Sequence, residues 1–180
     1  SDREFSELCD ILSSELTAYV KRATGKSVGS DLGVLVAGLG NAKMTPDAVG
    51  PGSVARLNAT RHLADAEPGL FSRLGCAKLS AVAPGVLGQT GIEASRLILG
   101  ATEAAEPDAV IAIDALAAGS CERLFSTVQL CDSGIAPGSG IGNRRSELSL
   151  RTLGVPVIAL GVPTVVDSST LVTDALGRAG

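Results

Sequence analysis

Apolar residues follow two patterns along the 180-residue chain: a repeat every three or four positions, and continuous runs. Near its start, apolar residues recur every three or four positions and Gly25 offers a left-handed stop, which predicts an amphipathic helix over about residues 4–24. The apolar positions of this helix are Phe5, Leu8, Leu12, Leu16, Tyr19 and Val20. Continuous apolar runs of strand length, typical of strands buried on both faces, follow at 32–38, 78–83, 109–113 and 155–161.

Helical patterns lie between these strands and after the last of them. They fall near 51–63, over 94–105 and over 169–177, and Thr90-Gly-Ile-Glu93 has the form of a capping box that opens the second. Successive strand-helix-strand units need parallel strands joined by right-handed crossovers. Residues 127–130 alternate as a short edge strand does, and Pro156 must lie near the start of the last strand. The pattern predicts a three-layer α/β/α sandwich with a mostly parallel open sheet of five or six strands.

Composition narrows the possible partners. Aromatic residues make up 2% of the chain and the net charge is -4, so neither a base-stacking platform nor a phosphate-binding surface is expected, and the Arg144-Arg145 pair fits a solvated loop. We expect no membrane span and no signal peptide, and therefore a cytoplasmic protein. The four cysteines have no CxxC spacing, which favours small buried residues over a disulfide framework or a zinc site.

Two aspartates stand where an open parallel sheet places its sites, at the carboxyl ends of strands. Asp47 follows the first strand, and Asp114 ends the third in the segment AVIAIDALAA at 109–118. If the two strands are neighbours, the carboxylates can approach each other across the rim of the sheet. Two carboxyl groups held close in a dry site share a proton, which is the chemistry of aspartic peptidases.

The residues alone leave other interpretations open. Asp47 also fits the first turn of a helix capped by Thr45 with Pro46 at its first position, and Asp114 fits a cap on the turn 115–117. A hard-cation site is a further alternative, formed by Asp47, Glu93, Asp114 and Asp132. The single histidine, His62, is expected at a helix end and offers no nucleophile-histidine pair. The glycine-rich loops at 38–40 and 138–142 lack a nucleotide fingerprint, so no cofactor is expected.

Long motifs in these same segments resemble one family. The chain is similar to the germination proteases of bacterial spores, which degrade the small acid-soluble proteins that coat spore DNA. The motifs are GLGN at 38–41, TPDAVGP at 45–51, ATRHL at 59–63, SAVAPGVLGQTGIE at 80–93, PDAVIAIDALAA at 107–118, DSGIAPGSGIGNRR at 132–145 and LGVPVIALGVPTVVD at 153–167.

This resemblance implies an unusual aspartic endopeptidase, with Asp47 and Asp114 as its catalytic residues and no metal. It also implies a fold similar to hydrogenase-maturation endopeptidases, a zymogen activated by loss of a propeptide, a homotetramer, and action in the forespore or spore core. Thr45 and the 133–143 loop, with Gly138 and Ser139, are expected to bind substrate. Family members continue beyond the VPTVVD segment, so residues 1–180 are expected to form a single catalytic α/β domain without that C-terminal region.

Two alternatives remain beside the spore protease. A metal-sensing maturation endopeptidase of related fold would need a histidine near its carboxylates, and a helical His62 argues against it. A non-catalytic or zymogen-like scaffold would have another copy of itself as its partner.

Overall fold

The computed structural model describes residues 2–136 and 147–177. Its strands are β1 Gly33–Gly38, β2 Lys78–Val82, β3 Ala109–Ala118, β4 Gln129–Cys131 and β5 Val157–Val166. Its helices are α1 Asp2–Thr24, α2 Val49–Val54, α3 Arg61–Ala66, α4 Pro68–Leu74, α5 Leu87–Thr90, α6 Ala94–Ala105, α7 Leu150–Leu153 and α8 Ser168–Gly177. Within the described ranges, no helix is long and apolar enough to cross a membrane.

The five strands form one open sheet in the order β2-β1-β3-β5-β4. β2, β1, β3 and β5 run parallel, and β4 pairs antiparallel to β5 at the edge. The predicted mostly parallel α/β sheet is therefore confirmed. Pro156 directly precedes β5, as expected of a residue that has no N–H for a strand ladder.

Helices cover both faces of the sheet. On one face, Leu35 and Ala37 of β1 pack with Ile98 of α6 in a buried cluster. On the other face, Val34 and Val36 pack in a second cluster with Val20 of α1. Because successive strand residues point to opposite faces, burial on both sides explains why β1 is apolar at every position.

Only the second half of α1 packs on the sheet. Leu16, Tyr19 and Val20 contact the second cluster, whereas Phe5 is 70% exposed and Leu8 and Ile11 are also exposed. The periodicity predicted one packed face along the whole helix, which is wrong for its first half. A helix of 23 residues is about 35 Å long and a six-residue strand only about 20 Å, so the first turns of α1 extend beyond β1.

Two local predictions are wrong. The helix expected near 51–63 is broken into α2 and α3, and α4 follows it. Thr90 caps no helix: its hydroxyl accepts the Ile92 N–H at 3.1 Å and donates to the Ile92 carbonyl at 2.9 Å. Gly91, with φ +72°, ends α5 at this point, and α6 begins only after Glu93.

The cysteines differ from expectation, whereas the histidine lies at a helix end as predicted. Cys9 and Cys131 are exposed, Cys76 and Cys121 are half-buried, and all four are free thiols, so the expectation of four buried cysteines is wrong. His62 is an exposed residue in the first turn of α3.

Candidate active site

The order of the strands creates a crevice between β1 and β3. From β1 the chain moves outward to β2 on one side, and it then returns to form β3 on the other side. Connections that leave neighbouring strands in opposite directions open a gap at the carboxyl ends of those strands, where ligands bind in sheets of this type. The connection after β1 carries Asp47, and β3 carries Asp114.

Asp47 is the last residue of a short 3-10 turn, Thr45–Asp47, and is half-buried. The N–H of Asn41 donates to Asp47 Oδ2 at 2.8 Å and approaches the backbone oxygen of Asp47 at 3.1 Å. Gly40 makes this approach possible, because it has φ +110° and a Cβ there would lie 2.8 Å from Asp47 Oδ1. The loop after β1 therefore folds back onto the Asp47 carboxylate.

Thr45 does not cap this turn. It is the first residue of the turn, Met44 precedes it as the N-cap, and the turn has no side-chain cap. Pro46 lies in the first turn, as predicted, since a proline there has no N–H to leave unpaired.

Asp114 is buried, with 7% of its surface exposed, and it lies inside β3 and not at its end. The sequence predicts that this strand stops at residue 113. That is the point where the neighbouring strand stops, because β1 ends at Gly38, which pairs with Ile113. β3 continues beside β5, where Asp114 pairs with Gly161. Because residues 115–117 are strand, Asp114 is not a turn cap, although its Oδ1 accepts the Ala115 N–H at 2.9 Å.

The structure brings the segments that carry the two aspartates together. The Leu39 N–H, just after β1, donates to the Ile113 carbonyl at 2.8 Å, one residue before Asp114. The Thr45–Asp47 turn has Cα atoms within 8 Å of residues in both β3 and β5. The turn thus lies against β3 and, through Pro46, against the carboxyl-terminal half of β5.

A further residue of the site, Thr164, was missed in the sequence. Thr164 lies in β5 and is buried, and its hydroxyl donates to the Pro46 carbonyl at 2.5 Å. The only signal was a polar residue within the apolar run VPTVV at 162–166, which also fits an ordinary strand threonine. Gln89, on α5, likewise supports the loop after β1, because its Nε2 donates to Asn41 Oδ1 at 2.8 Å.

Thr45 lines an open depression of about 380 Å³ beside the turn. The other lining residues come from α2 and its flanks, and they are Ala48, Val49, Gly52, Ser53 and Arg56. The depression is mostly apolar, and Arg56 is the charged residue in its wall. Gly138, Ser139 and the Arg144-Arg145 pair lie outside the described residues.

The carboxylates considered for a cation site do not cluster. Within residues 2–136 and 147–177, no three His, Cys, Asp or Glu side chains come together in a way that could hold a metal ion. Asp132 instead accepts a hydrogen bond from Arg22 at 3.0 Å on the surface.

These features define an α/β protein with an open parallel sheet and a carboxylate-bearing site at its topological switch point. The chain belongs to the germination protease family, whose family model matches residues 2–178. The resemblance seen in the motifs is thereby confirmed.

Named relatives agree with this assignment. The chain is 47% identical to the germination protease of Priestia megaterium over 167 residues, which are 93% of this chain and 44% of the relative. It is 48% identical to that of Bacillus subtilis over 177 residues, 98% of this chain and 47% of the relative. It thus spans less than half the length of these relatives. Among solved structures, a [NiFe] hydrogenase maturation protease, HycI from Thermococcus kodakarensis KOD1, matches with a TM-score of 0.47 and 15% identity, over 81% of this chain and 88% of that one.

Proposed function

We propose that this chain carries the catalytic centre of an endopeptidase that degrades small acid-soluble spore proteins during germination, with Asp47 and Asp114 as its catalytic pair. The observation that carries the proposal is the packing of the Thr45–Asp47 turn against β3, the strand of Asp114, at the switch point of the sheet. Membership of the germination protease family supports a peptide bond as the target.

The proposed reaction needs no group beyond the two carboxyls and water. One carboxylate takes a proton from water as its oxygen attacks the peptide carbonyl carbon, while the partner carboxyl donates its proton to the carbonyl oxygen. The tetrahedral intermediate then breaks its C–N bond: the first carboxyl gives the proton that it took from water to the leaving amine, and the partner carboxylate takes back a proton from a hydroxyl of the intermediate, which restores the starting pair. Burial of Asp114 supports this chemistry, because a site that excludes water strengthens the electrostatic interactions of the reacting groups.

A substrate path is proposed on the Thr45 side of the turn. Thr45 belongs to the turn that carries Asp47 and also lines the depression along α2, so a peptide lying there would reach the turn. Gly138 and Ser139, in the loop expected to bind substrate, are also proposed to contact the peptide.

Conservative substitution of each aspartate tests the proposal. In the full-length, processed protein, Asp47→Asn and Asp114→Asn are each expected to lower cleavage of a purified small acid-soluble spore protein by at least about 100-fold. Asp65→Asn, on the exposed surface of α3, is the matched control and should cleave normally. Circular dichroism and melting temperature confirm that each variant is folded. Full activity in either catalytic variant would remove the pair from the mechanism.

The same assay separates the two alternatives. Loss of wild-type activity on treatment with EDTA would favour a metal-dependent maturation endopeptidase, and unchanged activity supports the aspartate pair. His62 is exposed in α3, which gives the metal-dependent alternative no support. A folded, processed wild-type protein that cleaves nothing would favour a non-catalytic scaffold.

We also propose that the protein works as a homo-oligomer, a tetramer by resemblance to the family, in the spore core. The exposed apolar residues Phe5, Leu8 and Ile11 on α1 support contact between copies, because such a row is costly to leave in water. Light scattering should give a mass of several chains, and Phe5→Asp combined with Ile11→Asp should lower it.

A further inference from the structure

β5 contains a β-bulge next to the candidate site. Leu116 of β3 pairs with Pro163, but the next residue, Ala117, pairs with Val165, so Thr164 is an extra residue with none opposite it. A bulge of this kind bends its strand and changes the direction in which a side chain points. Bulges are enriched beside active sites for that reason.

The side chain at the bulge is polar and buried. Thr164 is 6% exposed, and its hydroxyl donates to the Pro46 carbonyl at 2.5 Å across 118 positions of sequence. The Pro46 carbonyl belongs to the peptide group that also contains the Asp47 N–H, and this N–H donates to the Met44 carbonyl at 2.8 Å. Both sides of the Pro46–Asp47 peptide are therefore fixed by hydrogen bonds.

We propose that Thr164 is a positioning residue that holds the peptide of Asp47 so that its carboxylate keeps its catalytic orientation. Two anchors set this orientation: the Asn41 N–H on the carboxylate and the Thr164 hydroxyl on the peptide that precedes it. The proposal rests on the proposed catalytic role of Asp47. Proton transfer needs heavy atoms about 2.6–3.2 Å apart, and a misplacement of about 1 Å can cost about 100-fold in rate.

The test removes the hydroxyl while keeping the shape of the side chain. In the full-length, processed protein, Thr164→Val is expected to lower kcat on a small acid-soluble spore protein by about 10- to 100-fold, with KM changed by less than about twofold. Thr164→Ser keeps a hydroxyl and should restore kcat to within about threefold of wild type.

The matched control is Thr102→Val. Thr102 is equally buried, at 5% exposed, and its hydroxyl donates to the Ile98 carbonyl at 2.8 Å within α6. Thr102→Val therefore loses a comparable hydrogen bond away from the Asp47 turn and should keep the wild-type kcat. The amide NMR signal of Asn41, which reports its contact with Asp47, should shift in Thr164→Val and not in Thr102→Val.

Three results would overturn the inference: a wild-type kcat in Thr164→Val, an equal loss of kcat in both valine variants, or no rescue by serine. Its failure is distinct from failure of the proposed function. If Asp47→Asn is inactive while Thr164→Val is fully active, the proposed catalytic role of Asp47 is supported and only the positioning role of Thr164 is excluded.

Discussion

Gly50 of α2 and Ile113 of β3 are in direct backbone contact. A Cβ built on Gly50 would lie 2.5 Å from the Ile113 carbonyl oxygen and 2.5 Å from the Leu39 nitrogen, both too close for any side chain. α2 therefore packs through its backbone on Leu39, just after β1, and on Ile113 inside β3, one residue before Asp114.

Gly50→Ala is expected to destabilise the fold by about 3 kcal/mol, because the surrounding atoms are backbone and cannot rotate away. Gly52→Ala, two residues along the same helix, is the matched control: its Cβ would meet only the tip of the Arg56 side chain at 3.5 Å. The free energy of unfolding of that variant should be unchanged or higher by up to about 1 kcal/mol, because alanine favours a helix more than glycine does. Urea denaturation of both variants makes the comparison, and equal stabilities would contradict the contact.

Thr60 completes the edge of β2 although it lies outside any strand. Its hydroxyl donates to the Ala77 carbonyl at 2.6 Å and accepts the Leu79 N–H at 2.9 Å. Thr60→Val should lower the free energy of unfolding by about 1–3 kcal/mol, because it leaves the Ala77 carbonyl and the Leu79 N–H without the threonine hydroxyl. Thr60→Ser should keep most of that stability. Hydrogen exchange at the Leu79 amide should quicken in the valine variant alone, and equal protection in both would argue against the bridge.

Asp108 links the amino-terminal ends of β1 and β3 and gives the fold an acid-sensitive contact. Its Oδ2 accepts the Gly33 N–H at 2.8 Å and its Oδ1 lies 2.7 Å from Lys26 Nζ. Partial burial pushes the pKa of Asp108 upward, but the Gly33 N–H and the Lys26 ammonium together outweigh it and hold the pKa below its ordinary value of 3.8. Because the pKa is lower in the folded protein, this contribution is complete above about pH 4 and is lost as the pH falls through the folded-state pKa.

Asp108→Asn is therefore expected to lower the free energy of unfolding by about 2 kcal/mol at pH 7, and its difference from wild type should narrow as the pH falls below about 4. Asp65→Asn, at an exposed position, is the matched control, and its free energy of unfolding should stay within about 0.5 kcal/mol of wild type. Urea unfolding at a series of pH values gives the measurement. A gap that stays constant with pH would mean that the charge of Asp108 contributes nothing.

Glu106 ends α6 in the left-handed region, with φ +42° and ψ +54°. A residue with a Cβ pays about 1 kcal/mol there that glycine does not, so Glu106→Gly is expected to raise the free energy of unfolding by about that amount. Glu106→Ala removes the same carboxylate but keeps the Cβ, and it should gain nothing comparable. Thermal melts distinguish the two, and an equal gain in both would assign the effect to charge.

β1 and the first parts of β3 and β5 could be predicted from the sequence because burial on both faces makes these segments apolar, and that property is local. The lengths of β3 and β5 could not be predicted. Beyond Ile113, β3 still pairs with β5 but no longer with β1, and this depends on where β1 ends. For the same reason Asp114 was expected at a strand end. Its presence beside the loop of Asp47 followed from the expected adjacency of their strands.

Other features depend on long-range geometry that a pattern does not contain. Thr164 looks like any strand threonine until the bulge and the Pro46 carbonyl are seen together. The first half of α1 has a helical apolar pattern, but the sheet beneath it is too short to cover it. Thr90 and Glu93 have capping-box spacing, yet Gly91 turns the chain between them.

The hydrogen bond between Thr164 and Pro46 makes the order of folding matter for the site. Chains emerge from the ribosome amino terminus first, so Asp47 and Asp114 are both synthesised well before β5. Until β5 docks, the Pro46 carbonyl lacks the Thr164 hydroxyl, and of the two anchors of the Asp47 turn only the Asn41 N–H can form. The proposed catalytic arrangement of Asp47 and Asp114 is therefore complete only once β5 has joined the sheet.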